Sequence, residues 1–461
     1  MSFLPLQAHA ANLAARLQNS PLAKRVFAGA LWSLMGAVGG RGLTLVSSIV
    51  AARLLGKTQF GEFGMIQNTI GSFGIFAGVG LGLTATKHVA EFRATDRERV
   101  SRILALSQRI TYFTGLLTAG LVFIFADSLA SHTLAAPGLA PEVRIASLLL
   151  FLGALNGVQT GALSGFESFQ TIAKITFAAG VAGFLMMIGG VISLGLEGAV
   201  WAAVGTTVVS WALYRKALQA QINKYSIPLR ATGMHTEWKT LWEFSLPAIL
   251  SSLSVVPVNW ACSLILVNQP SGYAEMGMLS ATIQWRNIIL FVPSVLMSVC
   301  LPMLTNLGAT REFTRQRKVL LTNVALAAAI GLSAASVVSV AGRFVMASYG
   351  ADFISGRNVL VLQAFAAAIA AVVGVLGQFL VSTGAMWSLI CLQIVWGSVN
   401  VGLTWIFRAD GAKGLSLAYL VAYVVHLVTM STFTWWKLKK QRLNHSNSNL
   451  PEIALQSNEV T

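Results

Sequence analysis

Charge is scarce in this chain. Of its 461 residues only 10% are Asp, Glu, Lys or Arg, where a soluble globular protein carries roughly 25%. So little charge cannot cover a water-facing surface of this size, which excludes an ordinary soluble domain. Acidic residues are the rarer half, 16 against 32 basic, giving a formal charge of +16. Cysteine is nearly absent. Cys262, Cys300 and Cys391 are odd in number and lie in apolar stretches without pairing spacing, which excludes a disulfide framework. The six histidines are scattered, with no HxxxH and no CxxC, so no metal site is expected. There is no Ser/His/Asp set, no phosphate-cradling glycine loop and no carboxylate pair inside an apolar stretch. Neither an enzyme nor a resident cofactor is therefore expected. The segment 1–26 shows no cleavable signal peptide; it holds Pro5, Pro21 and a modestly amphipathic run from Ala10 to Leu17. That run suits an interfacial helix or a frayed leader equally.

What is abundant is apolar sequence: 55% of residues are hydrophobic and the mean hydropathy is +0.69. A membrane-crossing helix needs about 20 mostly apolar residues. Twelve such stretches can be marked, near 27–53, 60–84, 103–126, 143–163, 173–194, 197–217, 240–266, 275–304, 319–342, 357–382, 386–407 and 412–436. The expectation is an all-α polytopic membrane protein with lipid as its solvent. Lys and Arg then set its orientation. Taking the amino end as cytoplasmic and counting residues at stretch ends with the adjoining loops, 22 of the 32 basic residues fall on the inner side, 7 on the outer side and 3 more than a turn inside the stretches. That bias of about three to one predicts that both termini are cytoplasmic. Basic residues clustered between apolar runs also account for the charge without nucleic acid.

Internal similarity divides the chain. Glu62-Phe63-Gly64-Met65 recurs as Glu275-Met276-Gly277-Met278, and Thr69-Ile70 as Thr282-Ile283 in the same register. Gly195-x-x-Gly198 and Ala202 are matched by Gly411-x-x-Gly414 and Ala418. The copies stand six helices apart, an even number, so the halves form a parallel repeat. The expected organisation is a leader over 1–26, a first lobe over 27–217, a basic linker over 218–239, a second lobe over 240–436 and a disordered cytoplasmic tail over 437–461. Glycines at four-residue spacing (Gly74, Gly78, Gly82 and Gly157, Gly161, Gly165) let helix backbones approach closely; an alternating-access cycle would use the same smooth faces.

Three arginines lie more than a turn inside the stretches. Arg41 is near the middle of the first and Arg286 is deep in the eighth, while Arg109 is close to an end of the third. A central arginine costs about 2.5–3.5 kcal/mol on insertion scales, so it rarely faces lipid. Arg109 can snorkel to the surface. Arg41 and Arg286 are too deep for that; they either hydrogen-bond helix carbonyls and amides or line a wet cavity and meet an anion. A guanidinium fork suits phosphate oxygens. Polar residues that would share such a cavity are Gln67, Asn68, Asn156, Gln159, Asn259, Gln284, Asn287 and Gln378, each equally suited to interhelical hydrogen bonding. Trp260 and Trp285 could stack on sugar rings or simply pack. His426 reads as a packed neutral histidine, with proton relay as the alternative.

The segment Ala52-Arg53-Leu54-Leu55-Gly56-Lys57-Thr58-Gln59-Phe60-Gly61-Glu62-Phe63-Gly64 resembles the first-loop signature of polysaccharide flippases, roughly A-R-x-L-G-x-x-x-F-G-x-F/Y. Gly80-Leu81-Gly82-Leu83-Thr84-Ala85-Thr86-Lys87-His88-Val89-Ala90-Glu91 is similar to the same family's second motif. The family is the Wzx-type O-antigen or polysaccharide repeat-unit flippases, in the multidrug/oligosaccharidyl-lipid/polysaccharide exporter superfamily. The resemblance implies a MATE-like fold of two six-helix lobes around a cationic cavity in a bacterial inner membrane. It implies an undecaprenyl-pyrophosphate-linked oligosaccharide as cargo, with Arg41, Arg286 and Arg109 as candidate headgroup ligands. It also implies coupling to a proton or other cation gradient, for which no residue carries over, and a polysaccharide polymerase and chain-length regulator as partners beside the membrane lipids. A cation-coupled multidrug exporter is the rival within the superfamily, and a non-transporting scaffold of an assembly complex the rival outside it. Deep arginines, with Glu62, Glu243 and Glu275 confined to span ends, favour the anionic cargo.

Overall fold

The computed structural model describes residues 21–228, 237–238, 253–310 and 312–456, with side chains over 39–441 apart from 298–299. The leader over 1–20, part of the linker, the start of the seventh stretch (240–252) and the segment 457–461 lie outside the described residues.

The described backbone is nearly all helix. The helices are α1 (Pro21–Gly78), α2 (Leu81–Phe92), α3 (Arg97–Ile124), α4 (Ala140–Gly165), α5 (Phe169–Lys224), α6 (Val256–Val267), α7 (Gly272–Ala309), α8 (Phe313–Val340), the short α9 (Gly342–Tyr349), α10 (Arg357–Ser382), α11 (Met386–Ile406) and α12 (Gly411–Gln456). Apart from 240–252, the marked apolar stretches fall almost wholly on this helical backbone. By length and apolar composition seven described helices would cross a membrane, and up to nine if each of two bent pairs is one span. Punctuation follows the sequence. Asp96 accepts the Arg99 amide at 2.8 Å and starts α3, an ordinary acidic N-cap. Between α1 and α2 the backbone bends by 47° at Val79 and Gly80, both at positive φ.

Two glycines carry the repeat into the backbone. Gly195 interrupts α5 at φ 58°, ψ −128°, and Gly411 opens α12 at φ 58°, ψ −139°. These angles match the first central position of a type II′ turn, which glycine alone adopts without strain. The tight turn expected at Gly195-Leu196-Glu197 is thus present, and its counterpart at Gly411 has the same shape.

The chain divides into two compact units: Met1–Leu54 with Ile66–Ser252, and Leu55–Met65 with Leu253–Thr461. In the first, Val89, Ile103, Val158, Leu163 and Leu218 share a core. In the second, Leu304, Leu320, Phe379, Leu380 and Met430 do so. Large apolar side chains such as Phe113, Ile124, Ile192 and Phe344 remain exposed, as lipid-facing residues must.

The division corrects the expected lobe boundary in one place, because Leu55–Met65 packs with the second unit. The physical reason is a backbone crossing. A Cβ on Gly61 would meet the Tyr273 carbonyl and stand 2.7 Å from the Gly277 amide, and one on Gly277 would meet the Lys57 carbonyl. Lys57 also pairs with Glu275 at 3.9 Å. Glu275 in turn accepts the Ala412 amide at 2.9 Å, capping the start of α12. The recurring glutamate–glycine segment found in the sequence therefore packs against its own repeat.

Helix α12 runs on to Gln456, into the segment read from the sequence as a tail. No Gly or Pro stands between Gly414 and Pro451 to stop it.

Candidate functional site

The deep arginines sit in different surroundings. In the second unit, Arg286 projects from α7 towards α12. Its Nη2 donates to the Tyr423 hydroxyl at 3.2 Å. Its guanidinium carbon lies 4.9 Å from the Tyr419 ring centre and 5.9 Å from that of Tyr423. The two tyrosines are one helical turn apart and so share a face of α12. Tyr419 is itself held, its hydroxyl donating to Asn259 Oδ1 on α6. Trp396 of α11 packs behind both rings at 6.2 and 5.3 Å, and His426 meets it edge-on at 6.1 Å.

No described carboxylate pairs with Arg286. Its compensation is neutral: two aromatic faces, each worth about 0.5–2 kcal/mol to a cation, and one phenol hydrogen bond of about 1.5–3 kcal/mol. These roughly offset the insertion cost of about 2.5–3.5 kcal/mol, yet the charge stays unneutralised. Its Nε is buried without a hydrogen-bond partner among the described residues, as is the neighbouring Trp285 Nε1. The arrangement is a positioned cation with a spare N–H, which is the chemistry of anion recognition.

In the first unit, Arg41 lines a cavity of about 480 Å³. Thr44 and Ser47 of α1, and Thr176, Thr206, Ser210 and Tyr214 of α5, share its wall. Beside the guanidinium, the polar side chains here are all hydroxyls, and no acidic residue is among them. The Thr176 and Tyr214 hydroxyls are 3.1 Å apart. Arg109 stands exposed on α3.

The polar residues expected from the sequence scatter. Asn259 joins the Arg286 network through Tyr419. Asn156 donates to the Thr207 carbonyl at 3.2 Å, an interhelical bond between α4 and α5. Gln159 is buried with its Oε1 unpartnered among the described residues. Gln67 and Asn287 are exposed; Asn68, Trp260, Gln284, Trp285 and Gln378 are half-buried. None of these last seven lines the Arg41 cavity. His426 is buried as a packed histidine should be, with Nδ1 unpartnered among the described residues.

Tyr419, Tyr423, Trp396 and Tyr214 do not stand out in the sequence. The i, i+4 spacing of the two α12 tyrosines inside an apolar stretch is the available signal.

The glycine series divide as well. A Cβ on Gly82 would lie 2.7 Å from the Gly157 carbonyl, and one on Gly165 would lie 2.8 Å from the Thr86 carbonyl, so these glycines serve close packing. Gly71, Gly74, Gly78, Gly153 and Gly157 instead face open space, lining a cavity of about 440 Å³ with Ile70, Ile75 and Leu83.

Solved transporter structures share this fold. An inward-facing multidrug resistance MATE family transporter of the MOP superfamily aligns with a TM-score of 0.73 at 16% identity, over 89% of this chain and 99% of its own. A MOP superfamily transporter from Pyrococcus furiosus, described as having a binding pocket of reverse polarity, aligns at 0.67 and 16% identity, over 92% and 98%. Among curated proteins, the EPS I polysaccharide export inner membrane protein EpsE of Ralstonia solanacearum is 26% identical over 90% of this chain and 95% of its own length. Its counterpart in Ralstonia nicotianae is 24% identical over 87% and 91%. The profile of polysaccharide biosynthesis proteins matches residues 26–308, more than half of the chain and all of the segment that carries the two flippase-like motifs. With a multi-pass helical body of the MOP fold beneath that match, the chain belongs to the polysaccharide biosynthesis protein family.

Proposed function

We propose that this protein is a flippase for a lipid-linked oligosaccharide. It moves an undecaprenyl-pyrophosphate-linked repeat unit from the cytoplasmic to the periplasmic leaflet by alternating access, with both termini cytoplasmic and about twelve spans. Arg286 in the second unit and Arg41 in the first are each candidate ligands of the pyrophosphate headgroup; Arg109, near a membrane surface, serves its approach. The observation that carries this reading is the state of Arg286, a half-buried cation held by neutral phenols with a buried Nε–H to spare. An anion brought by the cargo would complete it. The family match and the export proteins among the relatives supply the polysaccharide context. The cargo stays anchored in lipid while its headgroup crosses, so a gradient of protons or other cations can drive the cycle without a bound cofactor.

The test is leaflet accessibility of a lipid-pyrophosphate oligosaccharide in vesicles holding the purified protein. Arg286→Ala and Arg41→Ala should each abolish movement while the protein still inserts and folds. Wild-type rates from the double variant would refute the assignment. A cationic dye in the same vesicles addresses the drug-export alternative, for which transport of the dye and not of the lipid is the deciding result. A non-transporting scaffold would move neither.

A further inference from the structure

The stretch of α12 from Trp435 to Lys440, where its apolar run ends, carries groups that the transport cycle leaves unused. Trp435 and Trp436 are adjacent and exposed, at 62% and 50%. One turn further on, the Lys439 and Lys440 ammonium groups each lie 5.4 Å from the centre of a tryptophan ring, Lys439 by Trp435 and Lys440 by Trp436. Lys437 turns the other way and donates to the Thr383 carbonyl at 3.2 Å, at the end of α10. Leu438 packs against the core of the second unit. No Asp or Glu occurs between Asp410 and Glu452, so the helix supplies no internal counterion to its lysines.

Two exposed indoles and two outward lysines are a poor surface for water and a good one for a bilayer boundary. Indoles rest at headgroup depth with their N–H groups towards water. An ammonium seated over an indole keeps its protons available for phosphate oxygens. The Lys437 bond fixes α12 at this point, so the lysines act from a set position. We propose that this surface, formed by Trp435, Trp436, Lys439 and Lys440, is a binding site for an anionic phospholipid headgroup in the leaflet at that level of α12. Charge complementarity selects the occupant: two cations without an acidic partner among the described residues, beside two interfacial indoles, fit a phosphodiester lipid with net negative charge and not a zwitterion. The site includes neither Arg41 nor Arg286 and does not depend on the transport reading.

The full-length protein, purified and exposed to equal amounts of phosphatidylglycerol and phosphatidylcholine, tests this by native mass spectrometry of the lipids that stay bound. The wild type should retain phosphatidylglycerol preferentially. Lys439→Gln with Lys440→Gln should weaken that retention about thirtyfold, the weight of two lysines beside an anionic surface. Lys439→Arg with Lys440→Arg should keep it. Arg317→Gln with Lys318→Gln, an equal loss of charge on exposed residues of α8, should leave it unchanged. Undiminished phosphatidylglycerol retention in the Lys439/Lys440 glutamine variant overturns the proposal, as does an equal loss in the Arg317/Lys318 variant.

Discussion

One substitution, glycine to alanine, should have opposite effects at two kinds of position in the first unit. Gly82 sits where a Cβ would be 2.7 Å from the Gly157 carbonyl, and a Cβ on Gly161 would meet the Gly82 carbonyl more closely still. Real Cβ atoms essentially never approach under 3.0 Å, and here the neighbour is backbone, which cannot swing aside. Gly161→Ala must therefore push α2 and α4 apart. Overpacking of that kind costs about 1–3 kcal/mol, and each Cα–H···O interaction broken between the helices adds about 0.5–1 kcal/mol. Gly74, by contrast, has nothing within 4 Å of its would-be Cβ. Alanine there gains about 1 kcal/mol of helix propensity with no clash to offset it. Because alanine gains the same propensity inside α4, the two variants should differ by the clash alone, roughly 1–3 kcal/mol. Thermal unfolding of the purified variants should rank Gly74→Ala at or above wild type and Gly161→Ala well below it. If both fall together, the division of glycines into packed and open ones is wrong. If Gly74→Ala is stable but impaired in transport, the open space itself is used.

The remaining predictions concern single contacts and the topology. Tyr423→Phe removes the hydroxyl that accepts from Arg286 Nη2 but leaves the ring, so lipid-oligosaccharide affinity should fall by roughly ten- to hundredfold, about 1.5–3 kcal/mol at most; a larger loss than that of Arg286→Ala would contradict the positioning role. Glu275→Ala should destabilise the protein by about 1.5–3 kcal/mol, since its carboxylate caps α12 through the Ala412 amide, whereas Glu275→Gln, which keeps an acceptor, should lose less; equal melting losses would refute the cap. In a background without Cys391, cysteines placed at the exposed residues Glu98 and His132 should label from opposite faces of intact inner membranes with an impermeant maleimide, the first only after the cytoplasmic side is opened; labelling of both from one face would reverse the topology.

The membrane class and the repeat are legible in the sequence because both are written in composition and spacing. The glycines at 195 and 411 are legible for the same reason: a turn that demands positive φ leaves glycine as its mark. Arg286 is legible because a cation in an apolar stretch is costly and must be explained. Its partners are not. Tyr419 and Tyr423 belong to a helix far along the chain from Arg286, and a tyrosine in a membrane helix is unremarkable until a cation is found against its face. The assignment of Leu55–Met65 to the second unit is hidden likewise, since it depends on a glycine–backbone crossing that no local pattern encodes. The helical tail shows the converse limit. Polar composition argues for disorder, but nothing in the segment up to Pro451 breaks a helix that α12 has already begun.

The crossing at Gly61 has a consequence for how the protein is made. Residues 55–65 leave the ribosome long before Tyr273 and Gly277, the groups they pack against. The amino-terminal half therefore waits in the bilayer with one glycine-faced segment unsatisfied until the eighth apolar stretch is inserted. Closure over such a separation is slow in principle, because loop entropy is lost before any contact rewards it. Biogenesis should then have a late step at which nascent chains halted before residue 270 remain sensitive to protease near Gly56, and chains extended past 280 do not.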